Sequence, residues 1–414
     1  MTAASGVSAV SAMAEFRPAK RLGKIAVSAS AAMSDKAREL KAAGIDVISL
    51  SVGEPDFATP PHAIEAAHQA ALKGDTKYPP QRGSAALIKA VQRKFQRENG
   101  LTYATDELLT GNGAKQLIFD AIMATCDQGD EVIIPMPGWI TYADIVHMAD
   151  ATPVALTCRA EDGFHIRAQD LEAAITPKTR WLILNFPNNP SGSTGGASQL
   201  RAIADVLLRH PHVLILTDDI YEHLRYDNEP FVTIAQLEPR LKERTVTVNG
   251  VSKAFAMTGW RVGYCGGPRP VIDAMNIVQL QATGGICTLA QAAAVAVLDG
   301  DRKLLDEQVA LYRARRDLVL DALGAAKGMA VHRPSGAFYI YAGIRGVLGK
   351  RTAGGTVINS DLDFVTALLA EQHVATVHGG AYGMSPYVRL SYATDVASLQ
   401  EACRRIVAFC NTMN

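Results

Sequence analysis

The sequence has no excess of either charge. Its 414 residues include 41 Lys and Arg and 41 Asp and Glu, which gives a formal net charge of +0 at pH 7. A protein that binds nucleic acid or an acidic membrane surface normally concentrates positive charge. The composition therefore indicates neither partner.

Long hydrophobic runs and paired cysteines are also missing. No run reaches the roughly 18 apolar residues that a membrane-spanning helix requires. The six cysteines are scattered without the close pairs of metal sites, so we expect reduced thiols, no metal and a cytoplasmic protein. Residues 1–15 are rich in Ala and Ser but lack the basic start and apolar stretch of a secretory signal. They are predicted to be a flexible N-terminus.

What is present is enough apolar sequence for a large core, since 48% of the residues are hydrophobic. Between about 62 and 290 helical patterns alternate with short apolar runs, which favours a mostly parallel sheet with helices on both faces. The predicted strands are 107–110, 131–134, 153–157, 181–185, 213–217, 245–249 and 262–266. Six helices are predicted at 62–73, 84–98, 115–126, 169–176, 197–210 and 270–282.

The pattern changes after residue 300. A long amphipathic helix at 303–323 is followed by strands at 337–341, 374–377 and 387–392, with helices at 361–372 and 395–410. Residues 16–60 carry one predicted helix, 34–43, and one strand, 47–50. We therefore predict a large α/β domain at 61–299 and a smaller α+β domain formed by 16–60 together with 300–414.

Polar or glycine-rich turns follow four of the predicted strands. They contain Gly113 to Lys115, Asn189, Asp218 with Tyr221, and Lys253. In an open α/β sheet such turns gather at the carboxyl ends of the strands, where ligands bind. One edge of the sheet would then carry an amine, a carboxylate, a phenol, an amide and a helix start that can bind a phosphate. This set suits pyridoxal phosphate, which proteins hold through a lysine and an acidic partner for its ring nitrogen.

These motifs resemble those of one family, the class I aminotransferases of pyridoxal-phosphate fold type I, and within it the bacterial aspartate aminotransferases. The resemblance runs from about residue 26 to the C-terminus. It rests on the strings SVGEPDF (51–57), KYPP (77–80), IYEHL (220–224), KAFAMTGWRVG (253–263), PSGAFY (334–339) and VRLSYA (388–393). It implies a seven-stranded, mostly parallel sheet, a smaller second domain, and a homodimer with shared active sites.

The resemblance also implies the catalytic roles. Lys253 would form a Schiff base with the cofactor and, once an amino acid displaces it, carry the Cα proton. Asp218 would keep the ring nitrogen protonated; Asp219 competes for that role, but the family spacing to Tyr221 favours Asp218. Tyr221 and Asn189 would hydrogen-bond the cofactor's phenolate oxygen.

For the phosphate, the resemblance implies the backbone N–H groups of Gly113, Ala114 and Lys115 at a helix start, where the helix dipole favours an anion. Arg261 would pair with phosphate oxygens. Tyr78 would reach the phosphate of the partner subunit.

The phosphate site also departs from the family pattern. A serine often stands three residues before the lysine, where this chain has Gly250. Ser252 is the available substitute, and the sequence leaves open whether it acts as one. The peptide bonds before Pro137 and Pro190 are expected to be cis.

For the substrate, the resemblance implies that Arg389 binds the α-carboxylate, together with the N–H of Gly53 and the amide of Asn189. Trp139 would lie on the face of the cofactor ring. Domain closure would bring Gly53 and Arg389 onto the cofactor.

Lys115 bears on which amino acid is used. In one subgroup of the family a lysine in this position recognises a distal carboxylate, whereas another subgroup uses a partner arginine near the position of Leu280. Residues 278–296 contain no Arg or Lys, so aspartate and glutamate are preferred. Lys115 could instead contribute only its backbone. Leu280 makes the site less polar, so an aromatic or prephenate aminotransferase remains an alternative, as does a β-eliminating lyase on the same scaffold.

Overall fold

A computed structural model describes residues 17–25, 28–227 and 229–414. The predicted flexible N-terminus, 1–15, lies outside the described residues. The helices are α1 (Ala29–Ala42), α2 (Pro61–Leu72), α3 (Ala85–Asn99), α4 (Ala114–Thr125), α5 (Thr141–Met148), α6 (Ala168–Ala174), α7 (Ala197–Arg209), α8 (Ile234–Leu237), α9 (Arg269–Ala282), α10 (Thr288–Asp299), α11 (Lys303–Leu323), α12 (Asp361–Gln372) and α13 (Val396–Asn411).

The strands form one large sheet and two small ones. The strands are β1 (Ile48–Ser49), β2 (Leu108–Asn112), β3 (Glu131–Met136), β4 (Thr152–Thr157), β5 (Thr179–Asn185), β6 (Leu214–Asp218), β7 (Thr245–Gly250), β8 (Val262–Gly266), β9 (Tyr339–Gly343), β10 (Val374–Ala375), β11 (Val377–His378) and β12 (Tyr387–Ser391). In the large sheet the order is β2-β8-β7-β6-β5-β3-β4, and only β8 runs antiparallel to its neighbours. The prediction of a mostly parallel seven-stranded sheet is confirmed.

Both faces of the large sheet are covered by apolar side chains. Along β3, Val132 and Ile134 pack into a cluster with α4 and α5, whereas Ile133 packs into the opposite cluster with α7. Alternate residues of a strand point to opposite faces, so a strand buried on both sides must be apolar throughout. This is why the sheet strands read as continuous hydrophobic runs.

One of the two small sheets joins an early segment of the chain to a late one, and the other consists of late strands alone. Strand β1 pairs in parallel with β10, through Ile48 opposite Val374, and β12 lies antiparallel between β11 and β9. One buried cluster contains Leu50, α11, β9 and α13. These contacts agree with a small domain built from 16–60 and 300–414, although the boundaries stay a prediction.

Four helices differ from the sequence-based prediction, and one of them, α8, is a single turn that no predicted helix covers. Helix α1 begins at Ala29 rather than 34, because the Ser28 hydroxyl accepts a hydrogen bond from the Ala31 N–H and caps it. Helix α5 is only eight residues long, and α10 is rich in alanine without a clear polar face. Neither presents the periodic pattern on which helix prediction depends, so both were missed.

Candidate active site

A cavity of about 410 Å³ opens at the carboxyl ends of the sheet strands. Asn185 ends β5, Asp218 ends β6, and Lys253 follows β7 shortly after its last residue. The cavity brings together residues predicted from distant parts of the chain. Those that line it are Gly53, Ala114, Lys115, Trp139, Asn189, Asp218, Tyr221, Lys253, Arg261 and Arg389.

Lys253 presents its amine to this cavity. Its Nζ donates a hydrogen bond to the Gly53 carbonyl at 2.5 Å and lies 6.0 Å from the centre of the Tyr221 ring. Burial lowers the pKa of the Lys253 amine to about 8, with Glu54 acting in the opposite direction. A lysine with a lowered pKa offers a larger fraction of neutral, nucleophilic amine at neutral pH.

This environment predicts an unusual pH dependence for Lys253 in protein freed of any ligand. Its modification by an amine-selective aryl halide should rise through a midpoint near pH 8, whereas exposed lysines follow a pKa of about 10.4. The rates can be read peptide by peptide with mass spectrometry, and the exposed Lys73 serves as the internal control. A midpoint shared with Lys73 would contradict the buried environment.

Asp218 and Asp219 are both buried, yet only Asp218 lines the cavity. The Tyr142 hydroxyl donates to Asp218 Oδ2 at 2.6 Å, and Asn185 Nδ2 donates to the Asp218 carbonyl at 2.8 Å. Burial raises the pKa of Asp218 to about 6, and the Tyr142 hydrogen bond opposes that rise. Asp219 instead accepts a bond from Thr217 at 2.5 Å, which supports the choice of Asp218.

Tyr221 is buried and hydrogen-bonds a residue that the sequence did not single out. The hydroxyls of Tyr221 and Tyr339 lie 2.8 Å apart, and both side chains line the cavity. Tyr339 appeared in the sequence only as the last residue of a family string. Residues 118 positions apart carry no local signal of such a contact.

The start of α4 forms a cradle open to the cavity. Gly113 has φ +80°, and no side chain caps the helix. The N–H groups of Ala114 and Lys115 have no partner inside the helix, whereas those of Gly113 and Gln116 donate to the carbonyls of Gly111 and Gly113. A Cβ on Gly113 would overlap the Arg261 guanidinium, and one on Gly263 would lie 2.5 Å from the Ala114 nitrogen. Arg261 itself adopts φ +56°. Glycines thus allow an arginine, a strand and a helix start to converge on one small site.

Position 250 cannot hold the serine of the family pattern. A Cβ there would lie 2.8 Å from the Val262 carbonyl oxygen, so a side chain would push β7 and β8 apart. Ser252 is buried and lines the cavity together with Ala114 and Arg261. Its hydroxyl is therefore available to the same site.

Arg389 is buried, and two of its three nitrogens are occupied. Nη1 donates to Asn189 Oδ1 at 3.1 Å and Nη2 to the Ser51 carbonyl at 2.5 Å, whereas Nε has no hydrogen-bond partner among the described residues. The guanidinium carbon lies 4.5 Å from the ring centre of Tyr339 and 5.0 Å from that of Tyr382. An unsatisfied buried donor is costly, and a carboxylate in the cavity would satisfy it.

Lys115 and Trp139 lie together on another wall of the cavity. Lys115 Nζ is 4.8 Å from the centre of the Trp139 ring, and Trp139 is partly buried whereas Lys115 is exposed over much of its surface. Burial and the nearby charge of Arg261 lower the pKa of Lys115, with Asp144 opposing. The Lys115 side chain therefore borders the cavity. This is in addition to its backbone N–H, which belongs to the start of α4.

Tyr78 and Gly113 are the predicted residues that do not line the cavity of this chain. The Tyr78 side chain is fully exposed, so its action on a partner subunit stays a prediction. The peptide bonds before Pro137 and Pro190 are cis, as predicted, and those before Pro187 and Pro386 are cis too.

Sequence reasoning missed several lining residues. Tyr142 lies in the short helix α5, and Ser28 and Ser30 lie at the start of α1, whose beginning was placed too late. A tyrosine three residues after Trp139 and a capping serine were the available signals. The other missed residues with a hydrogen bond or ring contact at the site are Asn185, Tyr339 and Tyr382.

Outside the cavity, one group in the described part of the chain has the spacing of metal ligands. It comprises Glu98, Glu222 and His223. The Lys94 ammonium ion-pairs with Glu222 and lies 3.7 Å from Glu98, so the acids already have a cation. No helix in the described ranges combines the length and apolar character needed to cross a membrane.

The sequence matches a known protein family over most of its length. Residues 45–406 match the family described as aminotransferase class I and II. The chain belongs to this family. It is 52% identical over 401 residues to an aspartate aminotransferase of Rhizobium meliloti (strain 1021), covering 97% of this chain and 98% of the relative. An aspartate/prephenate aminotransferase of Cereibacter sphaeroides is 48% identical, covering 94% and 97%.

The solved structures agree in fold. The crystal structure of the Rhizobium meliloti aspartate aminotransferase superposes with a TM-score of 0.94 at 51% identity, covering 96% of this chain and 100% of that one. A Thermus thermophilus aspartate aminotransferase with maleate gives 0.89 at 38% identity, covering 95% and 100%. The predicted fold type I is thus confirmed, and the enzyme is a pyridoxal-phosphate-dependent aminotransferase.

The residues present fit pyridoxal phosphate. The glycines at 113 and 263 let the Arg261 guanidinium and strand β8 approach the start of α4 closely. A cation and the unpaired N–H groups of Ala114 and Lys115 therefore lie together, which suits a phosphate. Asp218 offers a buried carboxylate oxygen, and Lys253 offers an amine with a lowered pKa, in the same cavity. Each chemical part of the cofactor therefore has a partner of suitable chemistry.

Proposed function

We propose that this enzyme transfers the amino group of aspartate or glutamate to a 2-oxo acid in two half-reactions. The observation that carries the proposal is that two cations, Arg389 and Lys115, line one cavity together with Lys253. Two cations suit a substrate with two carboxylates. The Rhizobium and Thermus relatives are named aspartate aminotransferases, and the latter was solved with a dicarboxylate.

When bound, pyridoxal phosphate supplies an electrophilic carbon and a ring that accepts electron density from the substrate Cα. Lys253 would hold the cofactor through its amine, and the same amine would carry the proton that leaves and returns to the reacting carbons. Its lowered pKa lets the amine accept that proton near neutral pH.

The remaining groups fix charge and orientation. Asp218, ionised above a pKa of about 6, would accept a hydrogen bond from the ring nitrogen and keep it protonated, while Tyr142 orients the carboxylate. Tyr221 would donate to the cofactor's phenolate oxygen, to which Asn189 would also contribute its amide. The helix start formed by Gly113, Ala114 and Lys115 would hold the phosphate together with Arg261, and Ser252 would take the place of the serine missing at 250.

Substrate binding uses the opposite wall of the cavity. The Nε of Arg389 has no hydrogen-bond partner among the described residues. It would donate to the substrate α-carboxylate, and so would the Gly53 N–H. Trp139 would lie on the face of the cofactor ring. Gly53 belongs to the proposed small domain with Arg389, so closure of that domain would exclude water from the reacting atoms.

Lys115→Met should lower kcat/KM for aspartate and glutamate by about 10- to 100-fold, the effect of one charge-assisted contact. The backbone N–H at 115 is retained, so cofactor binding should be unchanged. For phenylalanine, which has no distal carboxylate, kcat/KM should stay within about threefold. Steady-state kinetics with each amino acid measure the ratio.

Lys115→Arg and Lys89→Met are the matched variants. The first keeps a cation and should retain most activity with aspartate, whereas Lys89 is an exposed residue of α3 and its replacement should change nothing. Equal losses for aspartate and phenylalanine in Lys115→Met would contradict the assignment of the distal carboxylate to Lys115.

A second candidate is an aromatic or prephenate aminotransferase. The Cereibacter relative carries both activities in its name, and Val52, Trp139 and Ile140 add apolar surface to the cavity. Comparable kcat/KM for prephenate and oxaloacetate would support dual specificity.

A β-eliminating lyase would release pyruvate and ammonia, which product analysis detects, and no contact of the cavity favours it.

We also infer a homodimer with shared sites. Tyr78 is fully exposed, as are large parts of Ile277 and Leu280 on α9, and such apolar groups favour a partner surface. A molar mass of two chains by light scattering would support this, and a stable monomer with full activity would contradict it.

The cytoplasmic location and the domain boundaries at 61–299 and 300–414 remain predictions.

A further inference from the structure

Tyr339 connects the two halves of the cavity. It is the first residue of β9, its side chain is 1% exposed, and its hydroxyl lies 2.8 Å from that of Tyr221. Its ring centre lies 4.5 Å from the Arg389 guanidinium carbon. One buried phenol therefore contacts the residue proposed for the cofactor oxygen and the residue proposed for the substrate carboxylate.

The direction of the bond between the two tyrosines follows from counting hydrogens. A phenol carries one hydrogen and can accept two more bonds. If Tyr221 donates its hydrogen to the cofactor, the bond between the hydroxyls must run from Tyr339 to Tyr221. Donation from Tyr339 polarises the Tyr221 O–H and strengthens its own donation, as in other hydrogen-bond chains.

Two neighbours favour this arrangement. The positive charge of Arg389 close to the Tyr339 ring makes the Tyr339 hydroxyl a better donor. A Cβ on Gly53 would lie 2.6 Å from the Tyr339 oxygen, so only glycine at position 53 leaves the hydroxyl where it is. The Gly53 carbonyl in turn accepts from Lys253.

We propose that Tyr339 is a positioning residue, which donates a hydrogen bond to Tyr221 and so strengthens the contact of Tyr221 with the cofactor's phenolate oxygen, while its ring supports Arg389. This inference rests on the proposed function of Tyr221. It assigns separate tasks to two parts of one side chain: the hydroxyl acts on the cofactor, and the ring acts on the carboxylate site.

The test is the pH at which the resting holoenzyme's cofactor absorbance changes, measured alongside the affinity for succinate, a dicarboxylate that cannot react. The midpoint reports the pKa of the Schiff base that Lys253 forms with the cofactor. A hydrogen bond to the charged phenolate oxygen favours that charge and so lowers this pKa. Removing the hydrogen bond should therefore raise the midpoint. We expect a rise of about one unit or more in Tyr221→Phe and roughly half a unit in Tyr339→Phe. The double variant should match Tyr221→Phe, because Tyr339 acts through Tyr221.

The affinity for succinate distinguishes the role of the Tyr339 ring from the role of its hydroxyl. Tyr339→Phe keeps the ring and should bind succinate within about twofold of the parent, whereas Tyr339→Leu should show the same shift in midpoint and bind succinate about fivefold or more weakly. Tyr392→Phe is the control, since it removes a buried hydroxyl from the same hydrophobic cluster without lining the cavity.

The outcomes are distinct. A shift in Tyr221→Phe without one in Tyr339→Phe, or additive shifts in the double variant, overturns the inference and leaves the proposed function standing. No shift in either single variant overturns the role of Tyr221 itself and, with it, that of Tyr339. A shift in Tyr392→Phe equal to that in Tyr339→Phe would show a merely structural effect and also overturns the inference.

Discussion

Lys253→Ala is expected to lower kcat by about 10⁴-fold or more, the upper range for a positioned general acid and base. The variant loses the amine that lies 6.0 Å from the centre of the Tyr221 ring in the cavity. Pyridoxal phosphate should still bind, though weakly, because the α4 cradle and Arg261 are unchanged. Steady-state rates with aspartate and equilibrium dialysis of the cofactor measure the two effects.

Two comparisons make this result specific. Lys73→Ala, at an exposed position after α2, should retain full activity. Added small primary amines should restore part of the rate in Lys253→Ala, since they can enter the vacated space and carry the proton. Appreciable turnover by Lys253→Ala without added amine would remove Lys253 from the role of base.

Asp218→Asn is expected to lower kcat by about 10²- to 10³-fold, the typical effect of removing one electrostatic contact from an active site. An amide has nearly the shape of a carboxylate and can still accept the bond from Tyr142, but it carries no charge to hold a proton on the ring nitrogen. The KM for aspartate should change little, because Arg389 and Lys115 remain. Rapid-mixing kinetics of each half-reaction would show the loss in the proton-transfer step.

Asp219→Asn is the matched control. Asp219 is as buried as its neighbour, yet it bonds Thr217 and does not line the cavity. Its replacement should change thermal stability more than kcat, which we expect to stay within about tenfold per folded molecule. A larger loss of kcat in Asp219→Asn than in Asp218→Asn would reverse the assignment.

Much of this architecture could be predicted because the signals are local. The sheet strands are continuous apolar runs, and the groups that end them, such as Asn189, Asp218 and Lys253, meet at one edge by the geometry of parallel strands. The strings around Lys253 and Arg389 added the chemical roles through resemblance. The fold and the predicted residues that line the cavity followed from these two sources.

What could not be predicted depends on contacts between distant residues. The bond from Tyr142 to Asp218 spans 76 positions and that between Tyr221 and Tyr339 spans 118. No periodicity or spacing reports such pairs. The early start of α1, which brings Ser28 and Ser30 to the cavity, depended on a single capping hydroxyl, and propensity alone places helix ends poorly.

The most direct test of the account is to locate the covalent attachment of the cofactor. Borohydride reduction of the holoenzyme, followed by proteolysis and mass spectrometry, fixes the pyridoxyl group to the amine that held it. We expect one modified peptide, with the label on Lys253. A label on another lysine, Lys115 included, or no label at all, would contradict it.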